Sequence, residues 1–449
     1  MKSGFKSSRL IVLSADGMRP DFYRRAKDFG LKIPNLLSLV EAGASADAVE
    51  SIYPSTTYPA HATLVTGVRP SMHGIYSHLA SLDPTEKARP WCWFARAMRV
   101  PTLWDVARAT GRKTAAISWP VSVGGAIDYN LPEIWDPSLP DPHRDFSTVA
   151  RNSTPGLFQQ VAKALGPMLP ESPDKPEKHS TNGPSARHSK SPAVSPDRLR
   201  GEATLHIWKQ YRPDLLLVHF VHYDQVAHRL GPMSREALKV IEEMDEEIGR
   251  IREAAAGGEP VNLVVLSDHG FVPVEKEAAP LVTLTEEGLF ARDAKGAPQL
   301  QRLGAVHAGG SFAIYWLEEP SNENRRALRR AVERLRETGA VAEVMNREEL
   351  AALEADPDAE LMLDAAPGFY FSDRAEGPVV RASDRDRGTH GQLPSLPGMQ
   401  ASFIAAGQGI ASGKNLGRIS LTQVAPTLAR LLGLPTDILA SKEPLLEMM

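Results

Sequence analysis

Residues 53–67 read Tyr-Pro-Ser-Thr-Thr-Tyr-Pro-Ala-His-Ala-Thr-Leu-Val-Thr-Gly. Pro54 and Pro59 bracket a cluster of hydroxyl side chains, and Ala60 to Val65 predicts a short helix that ends at Gly67. Such a stretch presents a hydroxyl and free backbone N–H groups at the positive end of a helix, where an anion binds. Taken alone, it is better explained as a capped helix after a turn, so its meaning depends on the rest of the chain.

Short apolar runs in the rest of the chain are followed within a few residues by aspartate or histidine. Runs of this kind are typical of buried strands in a parallel sheet, whose carboxyl ends carry the functional site. We therefore predict an α/β fold, with a mostly parallel central sheet and helices on both faces. The runs are Leu10–Leu13 before Asp16, Asp214–Phe220 before Asp224 and His228, and Val261–Leu266 before Asp268 and His269.

The pattern changes in two segments, which suggests how the chain is divided. We predict a catalytic core at 1–272 and 388–449 and a smaller α+β cap inserted at 273–387. Within the core, residues 170–199 are rich in proline and polar residues and predict a mobile surface loop.

Composition excludes several classes of protein. The 449 residues are 42% hydrophobic and 24% charged, which is ordinary for a globular enzyme, and the net charge of −4 leaves no footprint for nucleic acid. The sequence contains no apolar run of the roughly 18 residues that span a membrane. Cys92 is the only cysteine, so no internal disulfide forms. Since no signal peptide is evident after Met1, we expect a cytoplasmic protein; the residues do not predict its oligomeric state.

The aspartates and histidines have the chemistry of metal ligands. Asp224 and His228 are four residues apart and would share one face of a helical turn, and carboxylate and imidazole suit a cation such as Zn²⁺. Each motif is weak alone, because an Asp-x-x-x-His pair is more often a solvated face. Together they predict a site for two metals that promotes displacement at phosphorus. The set comprises Thr57, Asp16, Asp224, His228, Asp268, His269 and His390.

These motifs resemble the alkaline phosphatase superfamily, and most closely its nucleotide pyrophosphatase/phosphodiesterase branch. Besides residues 53–67, the matching pieces are Ser-Ala-Asp-Gly-Met, Asp-Gln-Val-Ala-His, Leu-Ser-Asp-His-Gly, Gly-Thr-His-Gly and Ala-Pro-Thr-Leu-Ala-Arg-Leu-Leu-Gly. They occur in the family's order between residues 10 and 435, so the resemblance covers nearly the whole chain.

The resemblance implies a role for each matching residue. Thr57 would be the nucleophile of a phospho-threonine mechanism, because it occupies the hydroxyl position before Tyr58-Pro59. Asp224, His228 and His390 would bind one zinc, and Asp16, Asp268, His269 and the Thr57 oxygen the other, although Mn²⁺ or Fe also suits such ligands. The substrate would be a small phosphorylated molecule, possibly a nucleotide.

The substrate contacts are less well defined, because the sequence departs from the family pattern there. His78 stands near the position at which relatives often have an asparagine that binds the phosphate, and it could replace that donor or be a surface histidine. Trp91 and Trp93 belong to an aromatic cluster that could contact the substrate or simply pack under a loop. Thr56 could compete with Thr57, and His219 could hydrogen-bond a metal ligand.

Other reactions of the same superfamily stay open at this point. The alternatives are a phosphomonoesterase, a phosphonate hydrolase and a catalytically inactive relative that binds a phosphorylated ligand. An inactive relative would not need the complete set of ligands that the sequence contains.

Overall fold

The computed structural model describes residues 9–86, 88–139, 146–169, 194–292, 298–299, 302–435, 439 and 444–449. Its strands form one large sheet and several smaller ones. In chain order the strands are β1 (Arg9–Ala15), β2 (Ala44–Ser45), β3 (Ala48–Glu50), β4 (Thr114–Ile117), β5 (Tyr129–Leu131), β6 (Leu215–Phe220), β7 (Val261–Leu266), β8 (Val272–Ala278), β9 (Ala291–Arg292), β10 (Pro298–Gln299), β11 (Leu303–His307), β12 (Ser311–Trp316), β13 (Val341–Asn346), β14 (Leu361–Ala365), β15 (Gly368–Phe371), β16 (Val380–Ala382), β17 (Gly388–Thr389), β18 (Phe403–Ala406), β19 (Lys414–Asn415) and β20 (Arg418–Ser420).

The helices lie between these strands. In chain order the α-helices are α1 (Asp21–Arg24), α2 (Pro34–Ala42), α3 (Thr57–Thr66), α4 (Pro70–His73), α5 (Leu103–Ala109), α6 (Ser147–Asn152), α7 (Leu157–Leu165), α8 (Pro196–Tyr211), α9 (His222–Leu230), α10 (Arg235–Ala255), α11 (Pro280–Glu286), α12 (Asn322–Glu337), α13 (Arg347–Ala352) and α14 (Val424–Leu431). In the described part of the chain, no helix is both long enough and apolar enough to cross a membrane.

The large sheet has eight strands in the order β19-β2-β18-β7-β1-β6-β4-β5. The five strands from β7 to β5 run parallel, and β18 pairs antiparallel with β7. Apolar residues cover both faces of the sheet: one cluster includes α2, α8 and α10, and the other includes α3, α5 and α14. The prediction of a mostly parallel sheet with helices on both faces is therefore confirmed.

Residues between β7 and β18 form smaller sheets. Strands β11, β12, β14 and β13 make an antiparallel sheet with its own apolar cluster against α11 and α12. Strand β8 pairs with β15, β16 and β17, and the β8–β17 pair joins Pro273 to Gly388. The chain thus leaves the large sheet and returns to it at neighbouring positions.

Two predicted boundaries need correction. Helix α3 begins at Thr57, three residues before the predicted start, because the first N–H groups of a helix have no intrahelical partner and Pro59 fits the first turn. The predicted loop 170–199 is wrong at its end, where α8 begins at Pro196 and Ser195 caps it. Residues 170–193 lie outside the described residues.

Candidate active site

Thr57 stands at the N-terminal end of α3, at the carboxyl edge of the large sheet. Thr56 is the residue before the helix, in an extended conformation, and its side chain is buried without a cap hydrogen bond. Thr57 is half-buried, and its Oγ1 lies 3.3 Å from Nε2 of His269, within hydrogen-bonding distance. The helix therefore directs the Thr57 hydroxyl, and not that of Thr56, towards the predicted metal ligands.

The first ligand group, called cluster A, consists of Asp224, His228 and His390. Helix α9 carries Asp224 and His228 on one face, as their spacing predicts, and His390 follows β17. Oδ1 of Asp224 lies 3.5 Å from Nε2 of His228 and 3.5 Å from Nε2 of His390. One ligand atom from each residue lies within 4.8 Å of the others, so one cation can contact all three.

The second group, called cluster B, consists of Asp16, Asp268 and His269, which are all buried. Asp16 follows β1, and the other two follow the neighbouring strand β7. Nε2 of His269 lies 3.4 Å from Oδ1 of Asp16 and 3.3 Å from Oδ2 of Asp268. The rings of His269 and His390 stack with centroids 3.8 Å apart, so clusters A and B are adjacent.

The three ligand histidines are oriented by backbone carbonyl groups. Nδ1 of His228 lies 3.1 Å from the carbonyl oxygen of Gly388. The corresponding distances are 2.9 Å from Nδ1 of His269 to the oxygen of Gly270 and 3.2 Å from Nδ1 of His390 to the oxygen of Ser55. A carbonyl only accepts, so each neutral ring keeps its proton on Nδ1. This leaves the Nε2 lone pair free for a metal, which is the usual arrangement of a metal-binding histidine.

The carboxylates of both clusters lack hydrogen-bond donors where they face the histidines. Asp16 Oδ1, Asp224 Oδ1 and Asp268 Oδ2 are buried and have no hydrogen-bond partner among the described residues. Burial, and then the charge of Asp268, hold the pKa of Asp16 well above its usual value, and burial raises that of Asp224 to about 7. Carboxylates crowded in this way are stabilised by a bound cation, as they are by a proton. The donor sets of both clusters therefore fit divalent metals.

Buried polar residues behind cluster B fix its geometry. Nε2 of His219 lies 3.1 Å from Oδ2 of Asp16, and its Nδ1 lies 2.6 Å from Glu133. Although burial alone would lower the pKa of His219, the charge of Glu133 and the hydrogen bond with Asp16 hold it well above its usual value. His219 has the predicted position next to a ligand. The sequence does not predict the role of Glu133, because this residue is 86 positions from His219 and belongs to no recognisable motif.

His61 joins helix α3 to the same region. Its Nδ1 lies 2.8 Å from the carbonyl oxygen of Thr57, and its Nε2 lies 2.9 Å from Oγ of Ser14 on β1. Burial lowers the pKa of His61 to about 3, so the ring is neutral at physiological pH. The start of α3 is thereby tied to the strand that carries Asp16.

The predicted substrate contacts are only partly next to Thr57. The ring of Trp91 lies edge-on to those of Tyr58, 5.3 Å away, and His78, 4.8 Å away. Trp91 and Trp93 both line an open cavity of about 420 Å³ between residues 80 and 97. Trp91 therefore contacts the neighbour of Thr57 and His78 contacts Trp91, whereas Trp93 is on the wall of the adjoining cavity.

A larger cavity, of about 780 Å³, lies elsewhere. It is lined by residues at the C-terminal end of α9 and by parts of 273–275 and 384–387, including Arg229, Arg385 and Arg387. Neither the residues of clusters A and B nor Thr57 belong to its wall. This cavity therefore lacks the described residues that could hold a metal, which lie at the sheet edge.

Comparisons with known proteins agree with this geometry. The type I phosphodiesterase/nucleotide pyrophosphatase family model matches residues 10–393. An uncharacterised pyrophosphatase/phosphodiesterase of Schizosaccharomyces pombe is 26% identical over 451 residues, which cover 96% of this chain and 78% of the relative. Ectonucleotide pyrophosphatase/phosphodiesterase family member 3 of Rattus norvegicus is 24% identical over 282 residues, 60% of this chain. The match spans only 25% of the rat protein's length.

Solved structures share the fold over the whole chain. Murine ectonucleotide pyrophosphatase/phosphodiesterase 5 superposes with a TM-score of 0.65 at 19% identity, covering 98% of this chain and 100% of the other. An inactive variant of that murine protein, in complex with AMP, gives a TM-score of 0.65 at 18% identity, covering 98% of this chain and 99% of the other. At such identities the similarity establishes a common fold.

Proposed function

Because the chain belongs to the type I phosphodiesterase/nucleotide pyrophosphatase family and is therefore a hydrolase of phosphoric ester or anhydride bonds, we propose that it cleaves phosphodiester or nucleotide pyrophosphate bonds through a phospho-threonine intermediate on Thr57. In this proposal, clusters A and B each hold one divalent cation.

The position of the Thr57 hydroxyl carries this proposal. Oγ1 is 3.3 Å from Nε2 of His269, beside cluster B, and stands at the start of a helix. The first N–H groups of α3 have no acceptor within the helix, so they can stabilise the negative oxygens of a phosphoryl group that the hydroxyl attacks. The new bond joins Oγ1 to phosphorus as the bond to the leaving oxygen breaks in line with it, and the leaving oxygen takes up a proton to replace the one that the Thr57 hydroxyl loses. Water then attacks phosphorus and the bond to Oγ1 breaks, which releases the phosphorylated product and restores the Thr57 hydroxyl.

The ligand chemistry supports metal-dependent catalysis. Divalent cations would lower the pKa of a hydroxyl and neutralise charge on phosphoryl oxygens. Three carboxylates and three imidazoles suit Zn²⁺ best, with Mn²⁺ or Fe as alternatives. The carbonyl groups that hold Nδ1 of the three histidines, together with His219 and Glu133 behind Asp16, keep the ligand atoms in place before a cation arrives.

A small phosphorylated molecule, possibly a nucleotide, is the substrate that we propose. In this proposal His78 donates a hydrogen bond to the phosphoryl group. Its ring contacts that of Trp91, which in turn contacts the ring of Tyr58, the neighbour of Thr57. Trp91 and Trp93 offer aromatic surface in the cavity of about 420 Å³, where a base or aryl group could pack.

The division into a core at 1–272 and 388–449 and a cap at 273–387 is also proposed. The separate apolar cluster of the antiparallel sheet and the pairing of Pro273 with Gly388 support it. A cytoplasmic location is proposed as well.

The test is kcat/KM of the zinc-loaded protein on a bis-nitrophenyl phosphate diester and on a nitrophenyl phosphate monoester. We expect a preference for the diester. Thr57→Ala should lose activity by three orders of magnitude or more, because it removes the nucleophile, while Thr57→Ser should keep part of it.

Thr56→Ala is the matched control, because it removes the neighbouring hydroxyl and should retain most of the activity. A Thr56→Ala variant as inactive as Thr57→Ala would refute the choice of nucleophile. A preference for the monoester would refute the phosphodiesterase assignment and leave the nucleophile standing.

A further inference from the structure

Arg89 is a buried cation without a carboxylate partner among the described residues. It is 6% exposed, and its Nη2 donates to the carbonyl oxygens of Ser81, at 2.6 Å, and Ala305, at 2.8 Å. Its Nε and Nη1 are buried and have no hydrogen-bond partner in the described part of the chain. Burial lowers the pKa of Arg89, and the charges of Asp373, Asp83 and Glu86, none of which pairs with it directly, only partly oppose this effect. A buried guanidinium with free donors and no described carboxylate in contact can therefore accept a negative ligand.

The same contacts bring Arg89 close to His307. The backbone N–H of Ala305 donates to the carbonyl of Leu82 at 2.9 Å, which fastens the 78–92 loop to β11. Ala305 and His307 are alternate residues of β11 and lie about 7 Å apart along it. Burial lowers the pKa of His307, and the charge of Arg89 adds to this effect while that of Asp373 opposes it, so both charged groups are near the ring. Nδ1 of His307 is also buried without a hydrogen-bond partner, and about a third of its side chain is exposed.

His307 in turn lies beside the proposed reaction site. Three residues after it, the N–H of Gly310 donates to the carbonyl oxygen of His390, in cluster A, at 2.7 Å. His78, in the same 78–92 loop as Arg89, contacts the ring of Trp91. Burial, and then the nearby His307 and Arg89, lower the pKa of His78 to about 3, as expected for groups of one shared pocket.

We propose that His307 and Arg89 form a subsite for a second phosphoryl group of the substrate, attached to the one that reacts. The inference rests on the proposed function and specifies its substrate: nucleotides with a phosphoric anhydride bond should be preferred over simple diesters. His307 provides the hydrogen bond at the opening, and Arg89 provides the positive charge behind it.

Asp373 is a carboxylate next to the proposed subsite, and removing its charge should strengthen phosphoryl binding, whereas removing His307 should weaken it. Its Oδ2 lies 3.8 Å from Nε2 of His307, beyond hydrogen-bonding distance, and its side chain is half-exposed. A phosphoryl group bound to His307 would be repelled by this carboxylate. Removing the charge should therefore improve binding of the second phosphoryl group.

The experiment compares kcat/KM for ATP, cleaved to AMP and pyrophosphate, with kcat/KM for bis-p-nitrophenyl phosphate, and follows their ratio. We expect His307→Gln to lower the ratio about tenfold, as for a lost hydrogen bond to a charged group. Asp373→Asn should raise it about threefold, as for one partly screened charge. Arg302→Gln, an exposed arginine just before β11 that pairs with Glu318, is the control and should leave the ratio unchanged.

Arg89→Gln should lower the ratio further, and Asp373→Asn keeps the test decisive if that buried variant does not fold. If the wild-type protein cleaves both substrates and neither His307→Gln nor Asp373→Asn moves the ratio, the subsite is overturned while the proposed function stands. If the wild-type protein cleaves neither substrate, the proposed function fails and the subsite with it.

Discussion

Replacing a single aspartate, either in cluster A or in cluster B, should remove one of two metal sites and leave the other. Asp224→Asn removes the carboxylate that contacts both histidines of cluster A, at 3.5 Å each. Asp268→Asn removes one of two carboxylates from cluster B. We expect the wild-type protein to bind two zinc ions and each variant to bind one, because each cluster keeps its own complete ligand set when the other is broken.

The size of the effect on stability follows from the two-cluster geometry. A ligand at one hundred times its Kd stabilises the native state by about 2.7 kcal/mol, so two independent sites would give about 5 kcal/mol. The clusters are adjacent, since the rings of His269 and His390 stack at 3.8 Å. Two cations this close repel each other, so the total should fall between the one-site and the two-site values.

The assay combines calorimetric titration of metal-free protein with zinc and thermal unfolding at each zinc concentration. Wild-type protein should show two binding events and the larger shift in Tm, and each variant one event and a smaller shift. Asp47→Asn, a half-exposed aspartate that pairs with Arg24, controls for loss of a surface charge. Two ions in both variants, or none in the wild-type protein, would refute the assignment of the clusters.

Two further predictions concern stability. Asp245 on α10 is buried and accepts hydrogen bonds from the backbone N–H of Leu36, at 2.7 Å, and from the backbone and side-chain N–H groups of Asn35 at the start of α2. Asp245→Ala should therefore lower the free energy of unfolding, measured in urea, by about 3 kcal/mol. Glu246→Ala, at an exposed neighbour, is the control and should lower it by less than about 1 kcal/mol. Burial raises the pKa of Asp364 to about 7, so the native state holds its proton more tightly than the unfolded state, and stability is lost between about pH 4 and 7. Asp364→Asn should then gain stability over wild type as pH rises through this range, and a constant difference would contradict this.

Much of the site could be predicted because its ligands follow local patterns. Asp16 comes directly after β1, and Asp268 and His269 come just after β7; both strands are mostly apolar. Asp224 and His228 have the spacing of one helical face. Strand burial and helical periodicity are properties of a few consecutive residues, so the sequence alone expresses them.

What the sequence could not predict depends on contacts between distant segments. Glu133 reaches His219 across 86 residues, and Arg89 contacts a carbonyl 216 residues away. The order of strands in the antiparallel sheet around β12 is likewise set by packing. Neither secondary-structure propensity nor residue spacing predicts these contacts, because the same loop residues could contact many other segments of the chain.

The pairing of β8 with β17 has an evolutionary consequence. Pro273 and Gly388 are partners in the pairing of β8 with β17, so a segment of more than one hundred residues begins and ends at adjacent positions. Insertions whose ends meet are tolerated, because the host chain continues without distortion. In the proposed division, the parts of the segment that do not contact the core can therefore vary in length without displacing Asp268, His269 and His390 at its two ends.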